Sequence, residues 1–467
     1  MTRFAKPRVA PEPLWTSPTA SPAAANRRRF LGQLAVGATA LGFATRLTAE
    51  PPKVANPRAT DGDDRFEPDW EQRLTLTVGV SGREADLVGN SDKVLQAAVD
   101  YVARRGGGTV KVLPGTYTLR SAVNLASGVR LLGSGPETII TKIASQTVQL
   151  AADSDWYDQE ITLAAPGDFR VGDSIVLRAH NPHNGGAEVI KRTLIAKRGL
   201  RFKLDDGLRK NLWLSGKPTC ASLFPLLTAE READIAIESL TLDGNRENNE
   251  NLDGNHAGCV FLQDCNRVAL RDVVARNYNG DGISFQICHD VRVQRCDSHG
   301  HAGLGLHPGS GSQRPVLLDN HLHGNQIGLF WCWGVKFGLA ERNRIENNQN
   351  YGISIGHNDT DNVMRDNDVL RSGKVGVLFR DDARGVDFWA NRNVLENNRI
   401  VDSGGEDGVA IDVTGKTREI RLSGNQISET RKPGQRIAIR LGKQVGQVDL
   451  SDNRIAGFAR DLDDRRA

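Results

Sequence analysis

The feature that most constrains the fold is a repeat of short apolar runs between Gly258 and about Ile455, each opening on a glycine. Six runs start 24, 21, 25, 24 and 24 residues apart, and a seventh follows after 32. Self-similarity at a period of this size indicates a solenoid of stacked repeats. The runs are Gly258-Cys-Val-Phe, Gly282-Ile-Ser-Phe, Gly303-Leu-Gly-Leu, Gly328-Leu-Phe-Trp, Gly352-Ile-Ser-Ile, Gly376-Val-Leu-Phe and Gly408-Val-Ala-Ile.

The repeats are built from strands rather than helices. Their apolar residues alternate with period two in runs of three to five, whereas helical repeats need longer runs with i, i+3, i+4 spacing. The Leu-x-x-Leu-x-Leu pattern of leucine-rich repeats is absent. The sequence therefore predicts an all-β parallel β-helix whose rungs stack about 4.8 Å apart. A second register supports it: Asn320-x-Leu322, Asn343-x-Ile345, Asn367-x-Val369, Asn398-x-Ile400, Asn425-x-Ile427 and Asn453-x-Ile455.

The segment before the repeats predicts one helix, over residues 92–105. Ser91 or Asp92 can cap it, and an apolar stripe includes Leu95, Ala98 and Val102. A Gly-rich turn and the first strands, around Leu113-Pro-Gly and Leu131-Leu-Gly, come next. In this order of elements and in its repeats, the chain resembles the right-handed parallel β-helix proteins of the pectate-lyase-like superfamily, over roughly residues 74–458. The resemblance implies that the helix covers the open end of the solenoid.

The domain organisation follows from where the period begins and breaks. Residues 159–215 interrupt it with longer strands and turns, which predict a small antiparallel β insertion. The predicted segments are an export signal (1–49), a linker (50–73), the N-terminal cap and first coils (74–158), the insertion (159–215), the β-helix repeats (216–458) and a charged, frayed tail (459–467).

Charge and the N-terminal segment bear on compartment and partners. Arg27 and Arg28, followed by Phe30-Leu31 and a weakly apolar run, are typical of a twin-arginine export signal. The apolar run is too short and Gly-rich to span a membrane. Without residues 1–49 the chain has 53 basic and 56 acidic residues, a net charge of −3. We therefore expect an exported, periplasmic or extracellular monomer without a membrane span, and no nucleic-acid partner.

The cysteines predict buried thiols rather than a disulfide scaffold. Cys265 and Cys288 each precede a strand valine by three residues, so they are expected to stack on neighbouring coils. A disulfide or a metal site is the alternative, although no C-x-x-C pair indicates zinc.

Chemistry-bearing residues concentrate in one region, since eight of the ten histidines fall between residues 256 and 357. With the coils aligned on their glycines, positions one and three after each glycine point inward and the fourth points outward. One outer face is then expected to hold Asp281, Gln286, His307, Trp333, His357, Arg380 and Asp381.

These residue types suit an anionic sugar and a proton transfer. Catalytic roles are predicted for His307, His357, Arg380 and Asp281, because histidine serves as a base near neutral pH and arginine pairs with carboxylates. The Gly-rich stretch 307–314 is expected to form a loop over the face. Substrate contacts are predicted for Gln286, Trp333, Arg314, Asp381 and His301.

The resemblance implies polysaccharide chemistry, and three functions stay open. The first is proton abstraction from a uronate polymer by a lyase or C5-epimerase. A non-catalytic glycan-binding or envelope protein would keep the same face. A glycoside hydrolase needs two carboxylates at a defined separation, and Asp281 has no aligned partner on the next coil, with Asp381 four coils away.

No metal ligands are assigned to the predicted site. A calcium site stays an open alternative, because hard oxygen ligands suit Ca²⁺, although no EF-hand spacing is present. Its ligands would be Asp243, Asn245, Asp253 and Asn255.

Overall fold

A computed structural model describes residues 67–432 and 434–466. In that part of the chain three long parallel sheets run side by side, and successive strands of each sheet come from successive coils. This is the predicted parallel β-helix. The export signal and most of the linker, residues 50–66, lie outside the described residues.

Sheet A is the 13-stranded sheet among the described residues, and its strands pair in parallel throughout. Its strands are Leu74–Gly79, Leu87–Val88, Gly108–Val112, Val129–Leu132, Ala233–Glu238, Asn266–Arg271, Arg292–Gln294, Val316–Leu318, Leu339–Glu341, Val363–Arg365, Val394–Glu396, Ile420–Ser423 and Val448–Ser451.

Sheet B has 11 strands in the described chain and carries the Asn-x-Leu register. Its strands are Gly115–Leu119, Thr138–Lys142, Thr241–Asp243, Val274–Arg276, Asp297–His299, His321–His323, Arg344–Glu346, Asp368–Leu370, Arg399–Val401, Gln426–Ser428 and Arg454–Ala456.

Sheet C, also of 11 described strands, carries the glycine register. The segment expected to fray at the C-terminus is instead its last strand, since Arg460–Asp464 pairs with Ile437–Leu441. The strands are Val123–Asn124, Leu227–Glu230, Gly258–Gln263, Asp281–Gln286, Leu304–Gly309, Ile327–Phe330, Tyr351–Ile355, Val375–Phe379, Val409–Val413, Ile437–Leu441 and Arg460–Asp464.

The α-helix of the described residues, α1 (Asp92–Arg104), packs on the first strands of sheets A and C. Its buried face consists of Asp92, Leu95, Ala98, Val99 and Val102. Neither predicted capping side chain caps it, because Ser91 makes no cap bond and the Asp92 carboxylate accepts from the backbone N–H of Arg120 at 3.0 Å. Short 3₁₀ turns occur at Trp70–Gln72, Leu214–Gly216 and Arg246–Asn248.

The insertion is a six-stranded antiparallel sheet with its own apolar core. It extends from Thr147 to Ala221, wider than the predicted 159–215. Arg120 ties it to the first coils through bonds to Asp168 and Asp173. Its strands are Thr147–Gln149, Glu160–Thr162, Ser174–His180, Ala187–Arg198, Arg201–Leu204 and Thr219–Ala221. No helix of the described residues is long and apolar enough to cross a bilayer.

The glycine alignment needs three corrections. In sheet C, Ile283 pairs with Leu306, so Gly282 aligns with Gly305 rather than Gly303. By the same pairing, the residue that aligns with Gly282 on the preceding coil is Cys259 rather than Gly258. The residue that aligns with Gly376 on the following coil is Ala410 rather than Gly408. The sequence Gly303-Leu-Gly-Leu offers two glycines in the same alternation, so periodicity alone does not select between them.

Where a coil has a glycine at this position, the glycine is required because it faces the interior. A Cβ at Gly282 would overlap Ser298 Oγ and His301 Nε2, and one at Gly352 would overlap the Val369 side chain. Positions one and three after the corrected glycine are also buried, as predicted, in Ile283 and Phe285. The residue before the glycine and the second one after it are therefore left on the outer face of sheet C.

A ladder of asparagines joins the coils at the start of sheet B. From Asn343 onward, the Oδ1 atom of each asparagine accepts from both the backbone N–H and the Nδ2 of the asparagine one coil earlier, at 2.9 to 3.0 Å. The Oδ1 atom of Asn320 accepts from the backbone N–H of Cys296 at 3.0 Å. Nδ2 also donates to a backbone carbonyl, as from Asn367 to Ala340 at 3.0 Å. The ladder consists of Asn320, Asn343, Asn367, Asn398, Asn425 and Asn453.

Charged residues of alternating sign, interrupted by Phe337, form a second column at left-handed positions at the start of sheet A. Three of its pairs are bidentate: Arg267 with Asp234, Arg314 with Asp290, and Arg392 with Asp361. The backbone φ is positive at every position. The column consists of Asp234, Arg267, Asp290, Arg314, Phe337, Asp361, Arg392 and Glu419.

The cysteines agree with the predicted thiol ladder. Cys265 and Cys288 are buried and free, and the backbone N–H of Cys265 donates to Cys288 Sγ at 3.3 Å.

Lys142 is a buried cation inside the coil. Its Nζ donates to the Phe224 carbonyl at 3.1 Å and lies 4.5 Å and 5.2 Å from the ring centres of Phe224 and Tyr278. Burial lowers the pKa of this amine from 10.5 to about 7. The same carbonyl also accepts from Tyr278 Oη at 2.8 Å, so it keeps a donor if Lys142 is replaced.

Asn367→Ala is expected to lower the free energy of unfolding by about 3 kcal/mol, because buried amide groups on both adjacent coils lose partners. Denaturant unfolding followed by circular dichroism measures this. Gln349→Ala, at an exposed position, is the control. Equal midpoints for the two variants would contradict a stabilising ladder.

Lys142→Met is expected to raise the free energy of unfolding most at pH 7 and below. The gain should shrink by about 1.4 kcal/mol per pH unit between pH 7 and 10.5, because in that window the unfolded state binds a proton that the folded state has released. Denaturant titrations of both proteins at several pH values measure the difference. A gain that stays constant with pH would show that the buried amine keeps its ordinary pKa.

Candidate functional site

The outer face of sheet C holds a buried histidine–aspartate pair. His307 Nδ1 lies 2.8 Å from Asp281 Oδ2, and the two side chains are 3% and 2% exposed. The other carboxylate oxygen of Asp281 accepts from the backbone N–H of Leu304 at 2.9 Å. Sequence analysis selected both residues but found no partner for Asp281. The corrected register supplies that partner.

The two residues meet because of where the inward glycine lies. Asp281 immediately precedes Gly282, and His307 is the second residue after Gly305 on the next coil. Both positions face outward, so the side chains meet across one rung. His307 thus stacks between Ser284 and Phe330, rather than on Gln286 as predicted.

The pair fixes the tautomer of the neutral imidazole. An ionised carboxylate only accepts hydrogen bonds, so His307 Nδ1 carries a proton, and in the neutral ring Nε2 then holds the lone pair. Nε2 is buried and has no hydrogen-bond partner among the described residues. The ring of Phe330 packs edge-on against the imidazole, with the ring centres 5.3 Å apart. This is the arrangement of a general base oriented by a carboxylate.

A cavity of about 540 Å³ opens beside the pair. Its lining is polar at one side, where Asn279 Oδ1 is a second buried atom without a partner among the described residues. The lining consists of Asn251, Leu252, Asp253, Gly254, Asn255, Asn279, Gly280, Asp281, Ala302, Gly303, Leu304, His307, Gln326, Ile327, Phe330 and Cys332. Burial raises the pKa of the Cys332 thiol to about 12, which makes it a poor nucleophile.

The ring of Phe330 lies between Arg380 and His307. Its guanidinium lies 4.3 Å from the centre of the Phe330 ring and donates to Ser354 Oγ at 2.9 Å and to the Trp331 carbonyl at 3.0 Å. The buried Asp359 lies 3.7 Å from it. Arg380 therefore reaches back over two coils toward the pair and places a positive charge near the cavity.

Trp333 and His357 form a separate aromatic cluster on the same face. Their ring centres are 4.8 Å apart, and the Phe388 ring lies 5.4 Å from the imidazole. The Arg384 guanidinium lies 4.8 Å from the centre of the Trp333 ring, and the Arg384 backbone N–H donates to His357 Nδ1 at 2.9 Å. Trp333 is 40% exposed. The structure thus groups His357 with the exposed indole instead of with His307.

Gln286 and Asp381, both predicted to contact substrate, do not line the cavity beside His307. Gln286 is buried and its Nε2 donates to Ser284 Oγ at 3.1 Å, so it supports a residue beside His307. Asp381 is exposed and does not line the cavity.

Two other predicted residues are not on this face. His301 is fully buried inside the coil, where Nδ1 accepts from the backbone N–H of Tyr278 and Nε2 lies 3.1 Å from Ser298 Oγ. Burial lowers the pKa of this imidazole to about 3. Arg314 belongs to the charged column and is held by Asp290 at 2.9 and 3.1 Å. Residues 307–309 of the stretch expected to form a loop belong to the strand Leu304–Gly309, and residues 310–314 form a short turn before the strand Val316–Leu318.

The four residues of the calcium alternative fall into two groups. Asp253 and Asn255 line the cavity beside His307, whereas Asp243 and Asn245 line another. The Asp243 carboxylate is paired with Arg276 Nε at 2.7 Å.

Sequence reasoning missed Phe330, the residue that connects His307 to Arg380. Because Gly303 was aligned instead of Gly305, His307 was placed at the fourth position after the glycine, where Phe330 is not its neighbour. Aligning Leu306 with Leu329 as the inward pair would have placed Phe330 beside His307.

Comparison with known proteins identifies the fold. A family model described as a right handed beta helix region matches residues 240–391. No curated protein matches the chain. The A-module of mannuronan C-5 epimerase AlgE4 from Azotobacter vinelandii is similar with a TM-score of 0.52 and 16% identity, over 84% of this chain and 100% of that one.

The A-module of AlgE6 from the same organism gives a TM-score of 0.51 and 16% identity, over 80% of this chain and 91% of that one. At this identity the likeness concerns architecture. Together with the three parallel sheets and the inward glycines, it shows that the chain is a right-handed parallel β-helix protein.

Proposed function

We propose that the protein acts on an acidic, uronate-containing polysaccharide by abstracting a proton from carbon, as a lyase or C5-epimerase does. His307 is the base, Asp281 orients it, and Arg380 stabilises the negative charge that develops on the uronate. The observation that carries the proposal is the buried pair of Asp281 and His307, whose second ring nitrogen has no partner beside a cavity.

The cost of burying this pair supports a functional role. A buried imidazole nitrogen without a hydrogen bond and a buried carboxylate both cost stability. An apolar side chain at either outward position of the rung would avoid that cost. Leu304 and Ile327, which occupy the position of Asp281 on the next two coils, are apolar.

Arg380 is the cation assigned to the uronate carboxylate in this proposal. The described lining carries the carboxyl groups of Asp253 and Asp281 and no lysine or arginine, and the Arg380 guanidinium lies beyond the Phe330 ring. Its hydrogen bonds go to Ser354 Oγ and the Trp331 carbonyl, and the carboxylates of Asp359 and Asp382 each lie 3.7 Å from it. The Asn279 amide oxygen provides an acceptor and the Gln326 amide provides a donor for sugar hydroxyls.

Access to the base requires a side chain to move. His307 Nε2 is shielded from solvent, and Phe330 packs against the imidazole. A sugar ring that displaces Phe330 would meet Nε2 on one side and the Arg380 guanidinium on the other. Substrate binding and exposure of the base are then one event, which keeps water from the nitrogen until the sugar arrives.

The two reactions share this first step and differ in the next. A lyase expels the neighbouring sugar from C4, whereas an epimerase returns a proton to the opposite face of C5. The names of the two epimerase modules with a similar fold make uronate polymers the first substrates to test. We also propose that the chain is exported, because Arg27 and Arg28 form an arginine pair typical of a twin-arginine signal.

His307→Gln and Asp281→Asn are expected to reduce turnover of a uronate polymer by roughly 10²-fold or more, because general-base catalysis contributes about that factor. Ultraviolet absorbance of unsaturated products detects a lyase. Incorporation of solvent deuterium at C5, followed by NMR, detects an epimerase.

His183→Gln, an exposed histidine of the insertion, is the control for these variants. Folding of each variant is checked by circular dichroism. If mannuronate, guluronate and galacturonate polymers all stay unchanged with the wild-type protein, the proposed reaction is wrong. Turnover that survives in both pair variants would place the base elsewhere.

A second candidate, glycan binding without catalysis, rests on the exposed aromatic cluster. Trp333 and Phe388 are 40% and 43% exposed and lie beside Arg384, and aromatic rings of this kind stack on sugars. Trp333→Ala should then weaken oligosaccharide binding by about tenfold while His307→Gln leaves it intact, as measured by calorimetry. Equal affinities of Trp333→Ala and the wild type would remove the cluster from the binding surface.

A further inference from the structure

We propose that Asp297, His299 and His323, on the outer face of sheet B, form a binding site for a divalent transition-metal ion of the Zn²⁺ class. The site joins two adjacent coils. It is independent of the proposed function, because it lies on a different sheet from His307 and none of its residues lines the cavity there.

The repeat places these side chains together. Strands Asp297–His299 and His321–His323 pair in parallel, with Asp297 beside His321 and His299 beside His323. Ser298 and Leu322 between them are buried, so the flanking residues of both strands point outward. Four outward positions on two rungs thus carry three imidazoles and one carboxylate.

The ligand atoms are already close together. Asp297 Oδ1 lies 2.9 Å from His299 Nδ1 and 3.0 Å from His323 Nε2, and the three potential donor atoms lie within 4.8 Å of one another. The two imidazoles stack with ring centres 4.6 Å apart. An ion with metal–ligand distances near 2.0 to 2.2 Å fits between these atoms after small side-chain rotations.

Neighbouring side chains hold the cluster in place and leave it accessible. His321 stacks on His323 with ring centres 4.0 Å apart, and its Nε2 lies 2.9 Å from Glu346 Oε1. The Asp297, His299 and His323 side chains are 37%, 28% and 30% exposed, so an ion can enter from solvent.

Two nearby arginines are held in ion pairs, which places a carboxylate beside each of them. Arg276, on the rung before His299, is paired with Asp243 at 2.7 Å. Arg344, on the rung after His321, is bonded to Glu346 at 2.7 and 2.8 Å, and the same carboxylate also accepts from Arg371.

The donor set selects the class of metal. Two imidazoles and one carboxylate suit Zn²⁺, Ni²⁺ or Cu²⁺, whereas Ca²⁺ and Mg²⁺ prefer oxygen ligands. Three protein ligands leave at least one position for water. Because the ligands come from two coils, the bound ion would resist separation of those coils.

The test is calorimetric titration of the full-length chain, without a polyhistidine tag and freed of metal by EDTA, with ZnCl₂ near neutral pH. We expect one equivalent to bind per chain, and Zn²⁺ to raise the melting temperature. Co²⁺ in place of Zn²⁺ should give visible absorption bands that report imidazole ligands.

His299→Gln and His323→Gln are each expected to weaken Zn²⁺ binding at least about tenfold, the loss that removal of even an outer-shell partner produces. His183→Gln, an exposed histidine outside the cluster, should bind as the wild type does. Absence of Zn²⁺ binding by the wild type overturns the proposal. So does binding that is unchanged in both cluster variants although their circular dichroism shows them folded.

Discussion

From Asn320 to Asn453 the architecture depends on a column of amide side chains that fixes how each coil lies on the next. A one-residue slip would remove the two bonds that each asparagine Oδ1 accepts and would leave buried donors without partners. The register of sheet B is set in this way, and closure of the coil then fixes the register of sheets A and C. Contacts between outward side chains of different coils, such as Asp281 with His307, follow from that register.

The sequence was sufficient to predict the architecture, because period, strand alternation and recurrent Asn and Gly each report a local constraint. It was less informative about the site. Gly303 and Gly305 satisfy the same alternation, and only pairing of Leu306 with its neighbours resolves them. His301 illustrates another limit, since inward and outward histidines look alike in sequence. Its interior position depends on the lumen space beside Gly282.

Arg314 had a signal in the sequence that was not used. Its partner Asp290 lies one coil earlier, and Asp234 and Arg267 stand in the same relation further up the chain. A charge that recurs with alternating sign at the repeat spacing is structural in the first instance. The charge of Arg380 has no such place in the column, and its guanidinium extends instead along the outer face of sheet C.

The alternating column also bears on how such a chain changes length in evolution. Loss of the single coil between Asp290 and Arg314 would set Arg267 against Arg314, two guanidinium groups at a bidentate spacing. Duplication of one coil creates the same conflict between like charges. Removal or gain of two coils restores the alternation. In this part of the solenoid, gain or loss of coils is therefore favoured in steps of two. An even number of added or removed coils keeps the alternating charges of the column, whereas an odd number brings like charges together.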